Sequence, residues 1–223
     1  MSSVNFEPVE SQFAGDSAAS PRASLAQVAE RATGCFLLML AAPAIAASAA
    51  VVKLLSRRSP FIAHLRVGQN GKPFWTLKLR TMWDHSDEPV SARWIEHIVA
   101  EPEEGSKHQA DPRISSRFAA FCRKHSIDEL PQLWHVARGE MSLVGPRPLT
   151  QSEVSRYYGA HAAELLSVKP GLTGLWQVYG RSAIRFPQRS AMDLEMVRSL
   201  DARLYLKILL RTIPVIIAGS GAW

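Results

Sequence analysis

The sequence predicts an α+β protein that is mostly helical and carries one membrane-embedded helix. Three observations support this fold class: an uncharged run of 21 residues from Ala32 to Val52, alternating apolar residues on both sides of Asn70-Gly71, and amphipathic patterns in the C-terminal half. With 223 residues, 47% of them hydrophobic, the chain suffices for one domain, and wholesale disorder is excluded. Its two cysteines exclude a disulfide scaffold and a multi-cysteine metal site.

The N-terminal part divides into a tail and the apolar run. Residues 1–23 are rich in Ser, Ala, Pro and Glu and are predicted to be disordered. Residues 24–58 contain the run, which as a helix would be about 30 Å long and would just cross a bilayer core. Pro43 lies near its middle, where it removes a helix hydrogen bond. Composition favours a kinked spanning helix over a re-entrant hairpin, and a buried soluble helix is disfavoured because amphipathic periodicity is absent.

Positive charge follows the apolar run directly. The net charge is +6 and the pI about 9.6, which predicts an anionic partner: nucleic acid, lipid or a phosphorylated substrate. Residues 53–83 contain seven lysines and arginines and no acid, so the positive-inside tendency places residues 59–223 in the cytoplasm. No nucleic-acid-binding signature accompanies the charge, and nucleic acid is therefore disfavoured as a partner.

The basic segment has the pattern of a β-hairpin. Apolar residues alternate with polar ones before and after Asn70-Gly71, a strong turn signal. One predicted face carries His64, Arg66, Lys78 and Arg80, and it is either a solvated face or a surface for phosphate or lipid headgroups. Residues 84–104, with seven acids, are predicted to form a surface excursion that contains a short helix.

The C-terminal half predicts several helices. A capping box of Ser126 and Glu129 begins a helix to Arg138, with Gly139 after its end. A second box, Thr150 and Glu153, begins a helix toward Val168. Residues 171–181 are a glycine-rich loop with a short strand, and 187–199 and 201–218 are helical. The last helix carries a basic stripe beside apolar residues, which suits the membrane interface or packing on the domain.

Asp128 and Glu129 have a structural and a chemical interpretation. Structurally, both acids favour a helix N-terminus, and Glu129 completes a capping box. Chemically, a carboxylate there can attack phosphorus while its neighbour binds Mg²⁺. Nearby arginines would stabilise charge on phosphoryl oxygens, and the two prolines beside Arg147 restrict its position. P-loop, dinucleotide-binding, zinc-protease and serine-hydrolase motifs are absent from the sequence.

Six blocks in order give the sequence a specific resemblance. They are KLRTM (78–82), DPRI (111–114), SIDELPQLW (126–134), GEMSLVGPRP (139–148), KPGLTGLWQV (169–178) and GR (180–181). The sequence resembles the bacterial sugar transferases that start glycan assembly on polyprenyl phosphate, the monotopic phosphoglycosyl transferases. The late blocks resemble the exopolysaccharide-initiating branch, which includes undecaprenyl-phosphate galactose phosphotransferases.

The resemblance implies a membrane enzyme with a defined site. It implies a re-entrant helix broken at Pro43, in place of a spanning one, and a domain on the cytoplasmic face of the bacterial inner membrane. It implies Asp128 as nucleophile and Glu129 as its partner at Mg²⁺, with Asp128 also near the metal. Positions assigned to phosphate and nucleotide binding are Lys78, Arg80, Arg113, Arg123 and Arg147.

The implied reaction transfers a sugar 1-phosphate from a UDP-sugar to undecaprenyl phosphate through an aspartyl-phosphosugar intermediate and releases UMP. UDP-galactose and UDP-glucose are the expected donors, membrane lipid is an expected partner, and a homodimer is left open. The alternative is a non-catalytic membrane-associated module for glycan assembly.

Overall fold

The computed structural model describes residues 24–83, 92–99 and 116–219. The helices are α1 (Leu25–Ser56), α2 (Arg117–Lys124), α3 (Leu133–Arg138), α4 (Gln151–Tyr157), α5 (Ala162–Leu166), α6 (Leu175–Tyr179), α7 (Phe186–Ser199) and α8 (Ala202–Ala218). The strands are β1 (Phe61–Val67), β2 (Pro73–Leu79), β3 (Ile95–Ile98), β4 (Ser142–Val144) and β5 (Gly171–Thr173). The α+β, mostly helical prediction is compatible with this order of elements. The predicted disordered tail, residues 1–23, lies outside the described residues.

The apolar run forms one long helix. α1 begins with a capping box between Ser24 and Gln27 and is long and apolar enough to cross a membrane, by length and composition. The helix continues through Pro43, so the break predicted there does not interrupt its secondary structure. Pro43 is exposed, and a helix of 32 residues tolerates the loss of one hydrogen bond. The re-entrant path stays a prediction.

Both halves of α1 contact the same domain. In the first half, Glu30 accepts hydrogen bonds from Ser142 and Tyr205, and Arg31 Nε donates to Ala137 O at 3.1 Å. In the second half, Val52 is fully buried in one cluster with two residues of the domain, Trp83 and Ala119. The helix therefore lies along the domain and does not project away from it.

The predicted hairpin is confirmed, with a partner that the sequence did not indicate. β1 and β2 pair antiparallel with His64 opposite Thr76, and Asn70 and Gly71 have positive φ in the connecting turn. β3 pairs parallel to the other edge of β1, and β4 and β5 form a separate parallel pair. Of residues 84–104, where a short helix was predicted, the structure describes 92–99, and these hold the extended strand β3, which pairs with β1. The rest of that segment lies outside the described residues.

The two arginines of the hairpin's basic face are buried in ion pairs and are not part of a solvated or headgroup-binding surface. Arg66 is buried and lies 3.5 Å from Glu153 of α4. Arg80 is buried as well; it donates to Ser59 O at 2.8 Å and pairs with Glu96 of β3. Long cationic side chains here hold separate elements together, because buried charges need partners.

The helices after residue 126 follow the predictions in part. The Thr150–Glu153 capping box, α7 and α8 are confirmed. The helix predicted toward Val168 divides at Gly159, whose φ is +47, into α4 and α5. The loop predicted for 171–181 does contain a strand, β5, but also the short helix α6.

α8 packs on the domain with one side and exposes an apolar stripe on the other. Packing on the domain and contact with the membrane interface, both predicted for this helix, are therefore compatible. Ile208 is fully buried beside Val144 and Met196. The exposed side of α8 carries four large apolar residues at helical spacing, Leu206, Leu210, Ile213 and Ile217. The exposed apolar residues of α1 include Phe36, Met39, Leu40, Leu54 and Leu55. Contiguous exposed apolar surface of this kind is typical of a membrane contact.

Candidate active site

The two neighbouring carboxylates lie on a short 3₁₀ helix, Ile127–Gln132, which we name the dyad helix. Pro131 has no N–H to donate, which disfavours a regular α-helix at this point. The predicted Ser126–Glu129 capping box is wrong: Ser126 has a left-handed backbone, φ 55, and its side chain caps nothing. The Glu129 side chain turns instead toward two cations.

Glu129 is held by residues from two distant elements. Its Oε1 accepts from Lys78 Nζ of β2 at 3.0 Å and from Arg147 Nη1 at 3.2 Å. Burial opposes ionisation, but these two cations outweigh it and hold the pKa of Glu129 well below its usual range. Glu129 is therefore ionised at neutral pH.

Asp128 is the more basic member of the pair. Burial, followed by repulsion from the Glu129 carboxylate, raises the pKa of Asp128 to about 6, against the attraction of Lys78, Arg123 and Arg147. Two carboxylates in one site with pKa values pushed apart are a common feature of catalytic pairs. Asp128 is therefore the carboxylate of the pair that binds a proton more readily.

Lys78 is positioned by a buried histidine that the sequence did not single out. His135 Nε2 accepts from the Leu77 N–H at 3.1 Å, so its Nδ1 carries the proton and donates to Glu140 Oε2 at 2.7 Å. This connection fixes β2 against α3, and Lys78 follows Leu77 directly.

Arg147 is positioned by a close approach of two backbones. Gly145 N donates to Thr173 O at 2.9 Å, and Gly171 N donates to Pro146 O at 2.7 Å. A Cβ on Gly145 would lie 2.5 Å from Lys169 O, so only glycine fits. The β4–β5 pair and the flanking prolines thus fix the segment from which Arg147 reaches Glu129.

The structure brings together four of the predicted site residues besides Glu129. Asp128 and Glu129 form a pair that we call the dyad, and the charges of Lys78, Arg123 and Arg147 all act on Asp128. Arg123 Nε is buried without a hydrogen-bond partner among the described residues. Arg80 is instead bonded to Ser59 and Glu96, so its contacts are those of a structural residue. Arg113 lies outside the described residues.

One cation at the site was not predicted from the sequence. Arg181 lies close enough to Glu129 and Asp128 for their charges to act on it, and its Nη2 donates to Ser126 Oγ at 2.7 Å. The GR block at 180–181 was the available signal, but spacing alone did not connect it to residue 126.

The donor set suits a hard divalent cation that also binds substrate. In the described part of the chain, no group of three or more His, Cys, Asp or Glu side chains could hold a metal. Asp128 and Glu129 offer two adjacent carboxylates, and Mg²⁺ is commonly bound by one or two carboxylates plus substrate phosphates. The dyad fits that mode and not an all-protein cage.

Comparison with known proteins decides the family. The family model for bacterial sugar transferases matches residues 22–219, which include every element described above. The chain belongs to the bacterial sugar transferase family. The resemblance of the six sequence blocks is thereby confirmed, and membership makes this chain a transferase.

Several members of the family are similar over most of this chain. The exopolysaccharide production protein ExoY of Rhizobium meliloti (strain 1021) is 39% identical over 188 residues, 83% of this chain and 82% of that protein. The UDP-glucose:undecaprenyl-phosphate glucose-1-phosphate transferase of Caulobacter vibrioides is 36% identical over 205 residues, 88% of this chain and 71% of that protein. The UDP-galactose-lipid carrier transferase of Erwinia amylovora is 42% identical over 167 residues, 74% of this chain but 35% of that protein.

Proposed function

We propose that this sugar transferase moves a sugar 1-phosphate from a UDP-sugar to undecaprenyl phosphate, as a membrane step of exopolysaccharide synthesis. The observation that carries the proposal is the division of roles within the dyad. Lys78 and Arg147 compensate the negative charge of the ionised Glu129 carboxylate. Asp128 has a pKa of about 6 and remains available as a nucleophile. Two similar proteins reported above, the UDP-glucose:undecaprenyl-phosphate glucose-1-phosphate transferase and the UDP-galactose-lipid carrier transferase, have names that support the same reaction.

In the first step, an Asp128 carboxylate oxygen attacks the phosphorus that bears the sugar. A bond forms from Asp128 to this phosphorus, and the bond from phosphorus to the bridging oxygen of UMP breaks, with its electron pair leaving on UMP. Lys78, Arg123 and Arg147 surround the dyad and offset the negative charge that collects on the phosphoryl oxygens.

In the second step, an oxygen of undecaprenyl phosphate attacks the same phosphorus. The Asp128–phosphorus bond breaks, the carboxylate is restored, and undecaprenyl-diphosphate-sugar leaves. Asp128 and Glu129 would hold Mg²⁺ together with substrate phosphates, and this ion supplies further neutralisation of charge when bound. Two anionic substrates can meet at this site because cations line it.

The packing of α1 supports a place for the site at the inner surface of the membrane. Residues 30 and 52 are separated by about 33 Å along a straight helix, yet both contact the same domain. A spanning helix would place one of these contacts on the opposite side of the bilayer. The exposed apolar stripes of α1 and α8 favour a helix within one leaflet and a cytoplasmic domain at the headgroup level, where the acceptor phosphate lies.

The experiment that tests the reaction is UMP release from a panel of UDP-sugars by the full chain in detergent, with Mg²⁺ and undecaprenyl phosphate. We expect release with UDP-galactose or UDP-glucose and its loss in Asp128→Asn. Asp201→Asn is the matched control, because Asp201 caps α8 and asparagine caps a helix equally well. Release that persists in Asp128→Asn would contradict the assigned nucleophile.

A further inference from the structure

Two residues beside the dyad have a left-handed backbone although neither is glycine. Ser126 has φ 55 and Arg181 has φ 47. This conformation is uncommon for residues with a Cβ and persists where surrounding contacts enforce it. The other two such residues in the described part of the chain lie in ordinary places, Arg57 at the end of α1 and Asn70 in the hairpin turn.

The two left-handed residues are bonded to each other. Arg181 Nη2 donates to Ser126 Oγ at 2.7 Å, and Arg181 Nη1 donates to Lys124 O at 3.5 Å. One guanidinium therefore holds both sides of His125. Arginine suits this contact because its planar fork directs two donors in fixed directions, which lysine cannot do.

The turn held in this way, residues 124–126, connects α2 to the dyad helix. Ser126 N donates to Arg123 O at 3.2 Å, and Glu129 N donates to Ser126 O at 3.1 Å. The backbone of Ser126 thus bonds to the last turn of α2 on one side and to the first turn of the dyad helix on the other. Its conformation sets where Arg123 and Asp128 lie relative to each other.

A second role for Arg181 must be distinguished from this one. Burial lowers the pKa of Arg181, and the carboxylates of Glu129 and Asp128 oppose that shift, so its charge also faces the dyad. An arginine so placed could bind substrate phosphate. The guanidinium, however, donates from Nη2 to Ser126 Oγ and from Nη1 to Lys124 O.

We propose that Arg181 is a positioning residue, which locks the 124–126 turn and thereby holds Asp128 and Glu129 against Arg123. This inference rests on the proposed function, since it assigns what the arginine contributes to the transfer. Ser126 is its acceptor: a glycine would adopt φ 55 without strain but would offer no hydroxyl.

The test is a double-mutant cycle of Arg181→Lys and Ser126→Ala, with kcat and KM measured for the UDP-sugar. We expect each single change to lower kcat about 10- to 100-fold, because small displacements of reacting groups are costly, and to leave KM within about two-fold. The double variant should be no slower than the slower single variant, because each change removes the same hydrogen bond between Arg181 and Ser126. Ser126→Gly should match Ser126→Ala. Arg198→Lys, which alters an exposed arginine pair with Glu164, is the matched control and should leave kcat unchanged.

Other results would overturn the proposal. A rise in KM at unchanged kcat would make Arg181 a substrate-binding residue, and multiplicative losses in the double variant would show that the two side chains act independently. Amide hydrogen exchange tests the turn without any reaction: Arg181→Lys should speed exchange at Ser126 and Glu129 by about ten-fold and leave α7 unchanged. If exchange rises as expected while wild-type protein releases no UMP, the proposed function has failed, but the positioning of the 124–126 turn by Arg181 has not. Unchanged exchange would contradict that positioning role whatever the activity.

Discussion

Lys78 Nζ lies 3.0 Å from Glu129 Oε1 and joins the β-hairpin to the dyad helix. The two residues are 51 positions apart in the sequence, and the same oxygen also accepts from Arg147. This contact makes the hairpin part of the site. It also leaves Asp128 as the carboxylate whose charge is less compensated.

We predict that Lys78→Met lowers turnover at least ten-fold, because it leaves one buried carboxylate with a single cation and removes a charge that stabilises the phosphoryl oxygens. Steady-state UMP release measures the effect. Lys72→Met is the matched control, since Lys72 is exposed in the hairpin turn. Equal activity of Lys78→Met and wild type would show that the hairpin cation has no part in the reaction.

The raised pKa of Asp128 predicts a pH dependence. Attack needs the ionised carboxylate, and the fraction ionised increases as pH rises through about 6. The rate of the first UMP burst should therefore rise from pH 5 to 7 and then level. The burst is measured without acceptor, because the phosphate of undecaprenyl phosphate titrates in the same range. Glu129, whose pKa is well below its usual range, should add no second inflection between pH 4 and 8. A burst rate that is flat from pH 5 to 8 would refute the assignment.

Gly145 lies so close to the neighbouring backbone that the Cβ of an alanine there would be 2.5 Å from Lys169 O. We predict that Gly145→Ala destabilises the protein by about 2 kcal/mol or more. It should also lower turnover, because the shift displaces Arg147. Thermal unfolding and UMP release measure both effects. Gly159→Ala separates backbone strain from displacement: its φ is +47, and an added Cβ there meets nothing within 4 Å. We expect Gly159→Ala to cost about 1 kcal/mol of stability at unchanged turnover. Similar turnover in both variants would show that the Gly145 contact does not position Arg147.

The contacts of α1 predict that both its ends face the cytoplasm. Single cysteines at Ala26 and Arg57, in a Cys35→Ala background, should react with an impermeant maleimide in inside-out vesicles and not in right-side-out vesicles. Cys122 can stay, because it is buried and burial raises the pKa of its thiol to about 11. Arg198→Cys marks the side of the membrane on which the domain lies. Labelling of the Ala26 position from the periplasmic side would establish a spanning helix.

Local patterns predicted the fold well where the contacts are local. Thr150 and Glu153 form the predicted capping box, and Gly139 adopts the left-handed conformation expected after α3. The same pattern at Ser126 and Glu129 does not form a capping box. Lys78 and Arg147 bind the Glu129 carboxylate, and Arg181 donates a hydrogen bond to the Ser126 hydroxyl. Local pattern cannot show such competition from distant parts of the chain.

The sequence indicated which residues form the candidate site better than it indicated which residues they contact. Sequence blocks contain Asp128, Glu129, Lys78 and Arg147, the family resemblance added Arg123, and the structure brings all five together. Arg80 belongs to one of those blocks yet bonds Ser59 and Glu96, because it follows the end of β2, where the chain lies beside residues 59–60 and β3. The parallel pairing of β3 with β1 is equally non-local, and acidic residues around it gave no strand signal.

The central claim is that a covalent intermediate forms on Asp128. Intact-protein mass spectrometry tests it most directly, after the protein is mixed with Mg²⁺ and UDP-galactose or UDP-glucose in the absence of acceptor. We predict a mass increase equal to one phosphohexose, release of one UMP per protein, peptide mapping to Asp128, and loss of the adduct when undecaprenyl phosphate is added. Turnover without any adduct, or an adduct that forms equally in Asp128→Asn, would contradict the account.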